Sequence, residues 1–122
     1  MEEGKNVWLF PDGELPVPDK GSKLEAHEAI MVLNTSGKDA DLKFTFYFAD
    51  KDPVENIHQE VKAKRVKCIR LDHPAEIGGF KLPHSTQYAV RVESDVKIVA
   101  TMGRLDTSSS KMAFYVSSCF SY

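Results

Sequence analysis

Residues 41–48, Asp41-Leu42-Lys43-Phe44-Thr45-Phe46-Tyr47-Phe48, alternate apolar and polar side chains with a period of two. Successive side chains leave opposite faces of a strand, so Leu42, Phe44, Phe46 and Phe48 fall on one face and Lys43, Thr45 and Tyr47 on the other. The same alternation recurs in Val66 with Cys68, in Tyr88, Val90 and Val92, in Val96, Ile98 and Ala100, and in Met112, Phe114 and Val116. Helical i, i+3, i+4 spacing is not sustained anywhere. Turn chemistry separates the runs: Asn34 to Gly37, Asp50 to Pro53, Gly78 with Gly79, Ser94 with Asp95, and Asp106 to Ser110. The pattern predicts about eight strands, near residues 6–10, 27–34, 41–49, 56–62, 65–71, 86–94, 96–104 and 112–120. Without a helix to cover the Phe stripe, those strands bury their apolar faces only by packing sheet on sheet, which gives an all-β fold, an antiparallel β-sandwich. The segment with Pro11, Pro16 and Pro18 reads as an extended loop between strand-like stretches.

A chain of 122 residues has the size of one domain, and the expected unit is residues 1–122. Hydrophobic residues at 42% and charged residues at 28% place it among chains that fold. The net charge of -2 supplies no general attraction to phosphate backbones or anionic lipid. It argues against nucleic acid as a partner, despite the local run Lys62, Lys64, Arg65 and Lys67. Cys68 and Cys119 form no CxxC pair and are expected as free thiols, and no metal or cofactor is predicted. A charged opening followed by only four apolar residues, Val7 to Phe10, lacks the form of an export signal. The apolar run Ala29 to Leu33 falls far below the roughly 20 residues of a membrane helix. A cytoplasmic protein without direct membrane insertion is therefore expected.

No GxSxG, HExxH, P-loop or GxGxxG is present, and no set of titratable residues has the spacing of a catalytic constellation, so no enzyme is expected. His58, His73 and His84 read as exposed or capping residues. His27 and Glu28 stand at the mouth of an apolar strand; as neighbours they point to opposite faces, and only one can face a given pocket. Both also fit as solvated strand-entry residues. Arg104 and Asp106 offer a donor fork and an acceptor suited to a sugar hydroxyl or a carboxylate, or else a pair that organises the following Ser-rich turn. Trp8 fits either a stacking platform for a sugar ring or the core. Tyr47, opposite the Phe stripe, marks an outer face suited to meeting another subunit.

The order of these segments resembles one family. Trp8, His27-Glu28 leading to Val32-Leu33-Asn34, Phe46-Tyr47-Phe48-Ala49-Asp50 and Pro53 are followed by Ala63, Arg65, Arg70 and Pro83, then by Tyr88, Ser94 ahead of Ile98-Val99, and Arg104-Leu105-Asp106. Over almost its whole length the chain is similar to the sensory rhodopsin transducer family. The resemblance implies a small cytosolic β-sandwich that assembles as a homotetramer, and a non-catalytic module that binds a small molecule, with sugars among the ligands, or relays a signal. The alternative it leaves open is a protein-interaction adaptor docking on a membrane receptor or a transcription regulator. The residues it carries over as a polar pocket are His27, Glu28, Asn34, Arg65, Arg104 and Asp106, with Trp8 as a platform. The chain departs from the family at Thr101-Met102-Gly103, where members often carry Gln-His-x before Arg-Leu-Asp.

Overall fold

The computed structural model describes residues 2–17, 26–107, 113–117 and 119–122. Eight strands account for most of them: β1 (Lys5–Glu14), β2 (His27–Asn34), β3 (Ala40–Phe48), β4 (Val54–Val61), β5 (Arg65–Arg70), β6 (Gln87–Asp106), β7 (Ala113–Ser117) and β8 (Phe120–Ser121). A single 3₁₀ turn, Pro74–Glu76, interrupts the connection from β5 to β6, and there is no α-helix among the described residues.

The strands form two antiparallel layers that share β6. One layer runs β4-β3-β6-β1-β8, and the other runs β5-β2-β6-β7. The first half of β6 pairs with β1 and β3 (Leu42↔Ser94 to Phe48↔Tyr88), and its second half pairs with β2 and β7 (Leu33↔Val99 to His27↔Leu105). A straight strand would carry Tyr88 roughly 50 Å from Arg104, at about 3.3 Å per residue. Both nevertheless bond to the same carboxylate, that of Glu28, so β6 doubles back. The reversal coincides with a break in register: Lys5 pairs with Ile98 and Val7 with Glu93, leaving Asn6 opposite residues 94–97. Bulges bend a strand and raise its twist, which is what moving a strand from one layer to the other requires.

Between the layers the Phe stripe is buried as the alternation predicts: Leu42, Phe44 and Phe46 are sealed from solvent, and Phe48 packs against them partly covered. Phe10, Tyr88, Val90 and Val92 join them from the same layer, facing Ile30, Val32, Ile69, Ala100 and Met102 from the other. Leu71, Ile77 and Leu82 fold in from the β5–β6 connection and close one end, where the Phe46 ring lies 5.5 Å from Phe80 and 5.8 Å from Tyr88.

Three expectations change. Strands 86–94 and 96–104 are one hydrogen-bonded strand, with the predicted Ser94–Asp95 turn surviving as its bend. Pro11 lies inside β1 rather than in a loop; it sits at the register shift between Phe10 and Gly13, where a missing N–H is tolerated. The run 112–120 divides into β7 and β8, and Met112, like Pro18 and Ser108 to Ser110, lies outside the described residues. His58, His73 and His84 sit at exposed or partly exposed positions, with His73 2.8 Å from Glu76 and His84 2.9 Å from the Pro16 carbonyl.

The outer face of the β5-β2-β6-β7 layer carries two adjoining uncharged rows. Val66, Leu33 and Val99 stand side by side across three strands and are 70%, 41% and 40% exposed. The next row is Cys68, Met31 and Thr101, and none of these six side chains carries a charge.

Candidate functional site

Glu28 is the only fully buried carboxylate among the described residues. It enters on β2, whose alternation turns Glu28, Ile30, Val32 and Asn34 inward and His27, Met31 and Leu33 outward. A carboxylate buried without partners would cost several kcal/mol, so its neighbours decide whether this strand can exist in this register. Arg104, directly opposite on β6, donates from Nε to Oε2 at 2.9 Å. Tyr88, arriving from the other layer, donates its hydroxyl to Oε1 at 2.7 Å. The Glu14 backbone N–H adds a longer bond to Oε2, 3.3 Å. Glu28 thus ties β1, both halves of β6 and β2 together at one end of the sandwich. Its own carbonyl accepts the Leu71 N–H, fastening the β5–β6 connection to the same point.

Tyr88 reaches Glu28 only because Gly13 stands opposite it on β1. A Cβ on Gly13 would lie 2.4 Å from the Tyr88 ring, well inside van der Waals contact. Burial and the adjacent Glu28 carboxylate push the Tyr88 phenol far above its ordinary value, so it remains a hydrogen-bond donor. Close by, Arg70 grips Asp72 through two bonds of 2.7 Å, which orders the connection that covers this end. Thr107, next after β6, has a buried hydroxyl with no hydrogen bond among the described residues.

The seven residues singled out in the sequence divide clearly. Glu28 and Arg104 come together. Asp106, half-buried, follows two residues beyond Arg104 on the same side of β6 by strand alternation. His27 lies beside Glu28 but on the opposite face of β2, level with Leu105. Asn34 is six residues down β2, about 20 Å away at the spacing of a strand, and is spent on structure. Its Nδ2 donates to the carbonyls of Lys38, Val61 and Lys62 at 2.7, 3.1 and 3.3 Å, and its Oδ1 accepts from the Ser36 N–H and hydroxyl. Arg65 pairs with Asn34 at that far end and is exposed. Trp8 stands opposite Val92, packs against the core, and donates Nε1 to the Lys5 and Ile98 carbonyls at 3.2 Å each. Tyr88 is the member that residue patterning missed: its alternation reads as core, and the signal was that a buried Tyr hydroxyl needs an acceptor. At the family departure, Met102 fills the core two residues before Arg104 and Gly103 is buried.

Among the described residues no helix is long and apolar enough to cross a membrane, and no group of His, Cys, Asp and Glu is placed to hold a metal ion. No curated protein matches the sequence. The fold is shared with the crystal structure of Thermotoga maritima 1070, with a TM-score of 0.85, 28% identity, and coverage of 98% of this chain and 96% of that one. The Anabaena sensory rhodopsin transducer superimposes with a TM-score of 0.72 and 30% identity over 82% of this chain and 94% of its own. The sequence model described as Anabaena sensory rhodopsin transducer matches residues 3–121. The chain belongs to the Anabaena sensory rhodopsin transducer family.

Proposed function

We propose that this protein is a non-catalytic signal-relay module of the cytoplasm, which responds to a small polar ligand of the sugar class at the end of the sandwich marked by Glu28, Arg104 and Tyr88. Likeness to the sensory rhodopsin transducer supports a signalling-related module. The observation that carries the ligand reading is the buried Glu28 carboxylate, which holds the Arg104 side chain, 16% exposed, in one orientation at the end of β6. A guanidinium fixed in this way can meet hydroxyl or carboxylate acceptors without the entropy cost of ordering a free arginine. The orphaned Thr107 hydroxyl lies in the same stretch of chain and supports the reading, since buried polar groups are seldom left unmatched.

Calorimetric titration of the full chain against a panel of sugars and related metabolites tests it. At least one compound is expected to give saturable heat, and Arg104→Lys, which keeps the charge but loses the fork, is expected to weaken that binding about tenfold or more. Absence of heat across the panel overturns the small-ligand reading.

A second reading, an adaptor that docks on a receptor or a transcription regulator, is favoured by the uncharged outer rows around Leu33, Val66 and Val99. The first occupant we propose for that face is another copy of this chain, within a homotetramer. Two copies related by a two-fold axis bring like residues together, and uncharged rows can do this without repulsion. Sheets packed face to face bury such rows as a core does. Sedimentation at micromolar concentration is expected to give an assembly for the wild-type chain and monomers for Val66→Glu combined with Val99→Glu. A wild-type monomer, or a double variant that still assembles, rules this face out as the subunit interface.

A further inference from the structure

At the end of the sandwich remote from Glu28, the reversal of β6 leaves a hollow of about 800 Å³, a volume within the range of small-molecule sites. Its walls are the bend of β6 (Asp95, Val96, Lys97), the β2–β3 loop (Thr35 to Lys38), and Glu2, Glu3 and Asn6. The loop wall is held from behind by the Asn34 hydrogen bonds to Ser36 and Lys38, so it is shaped before any ligand arrives. The opposite wall exists because four residues of β6 face the single residue Asn6, whose Nδ2 pins the start of the bend by donating to the Ser94 carbonyl at 3.1 Å. Strand bulges recur beside binding sites because they re-aim side chains in this way.

The charges lining the hollow are unequally committed. Glu2 is paired with Lys97 at 3.0 Å, and Asp95 Oδ1 accepts the Asp41 N–H at 2.8 Å. Lys38 and Glu3 make no side-chain hydrogen bond or ion pair among the described residues, and the Thr35 hydroxyl is likewise unengaged. The hollow is therefore lined by one uncommitted ammonium, one uncommitted carboxylate and an unengaged hydroxyl, and by Asp95, whose Oδ1 alone is engaged. We propose that it is a second ligand site, independent of the Glu28 end, for small zwitterions of the free amino-acid class. The ligand carboxylate meets Lys38 and Thr35, and its ammonium meets Glu3 and Asp95. A ligand with only one of these charges satisfies half of the set.

Amide chemical shifts of the full chain, followed during titration with individual L-amino acids, test the proposal, with acetate and ethylammonium as single-charge probes. The expected result is saturable movement of the amides of residues 35–38 and 95–97 with at least one amino acid at millimolar concentration, and about tenfold weaker response to either single-charge probe. Lys38→Met and Glu3→Gln alter exposed side chains and are expected to leave the melting temperature unchanged, while each lowers affinity about tenfold. Arg104→Lys is expected to bind the amino acid as the wild type does, which separates this site from the sugar reading. No movement of these amides with any amino acid, or equal affinity for acetate or ethylammonium alone, overturns it.

Discussion

Glu28→Ala is expected to be the most damaging polar substitution in the chain, lowering stability by about 3–5 kcal/mol in a protein whose total stability is expected to be about 5–15 kcal/mol. The loss does not come from the pair's net attraction, which burial largely offsets. It comes from what remains: a mostly buried Arg104 side chain that has lost its bond to the Glu28 carboxylate, and a Tyr88 hydroxyl left without its acceptor. Glu28→Gln keeps the shape and can still accept from Tyr88, but an amide cannot match the carboxylate at both oxygens, so an intermediate loss is expected. Replacing both charges, Glu28→Leu with Arg104→Leu, is expected to recover much of the deficit because neither member of the pair is left buried without the other. Urea unfolding of the four proteins measures this, and thermal melts are expected to place Glu28→Ala roughly 10–20 °C below wild type. If Glu28→Ala melts with the wild type, the network does not join the two layers. The double variant also bears on function, because a folded protein without the pair that still gives full heat with a sugar removes Glu28 and Arg104 from the ligand site.

The fold was legible from the sequence because one strong stripe, Leu42 to Phe48, fixes both a strand and the need for a second sheet. The junction between the sheets was less legible. Ser94 and Asp95 carry turn chemistry and the chain does reverse there, yet the bend is a register shift inside one continuous strand, a matter of pairing with β1 and β3 that local composition does not encode. At the candidate site, the opposite faces of His27 and Glu28 followed from strand alternation alone, whereas the partnership of Glu28 with Arg104 depends on a register 76 residues apart in sequence. Asn34 shows the converse. Its residue type suits a ligand as well as a loop, and only the structure reveals that its amide is used in holding residues 36 and 38 and the β4–β5 connection. Tyr88 was hidden by its own regularity: an aromatic at an inward position reads as core, which it also is.

Alkali is expected to erode the stability of this protein through Tyr88 in particular. The phenol is 2% exposed, and burial together with the neighbouring Glu28 carboxylate raises its folded pKa well above the ordinary 10.0. Above pH 10 the unfolded chain gives up this proton while the folded chain keeps it, so the unfolded state binds fewer protons and stability falls as pH rises. The slope is about 1.4 kcal/mol per pH unit. Below pH 10 both states are protonated and the contribution is fully present. Tyr88→Phe removes the titration and also a hydrogen bond to a charged group, so it is expected to be less stable than wild type at pH 7 by about 1.5–3 kcal/mol. The two dependences oppose each other. The wild-type advantage is expected to hold constant to about pH 10 and then shrink by about 1.4 kcal/mol per unit, vanishing one to two units higher. All other side chains are the same in both proteins and cancel from the difference. Urea unfolding of the pair at intervals from pH 7 to pH 11.5 reads the shrinking difference, and a difference that stays flat across that range means that the hydroxyl is not held between the layers by Glu28.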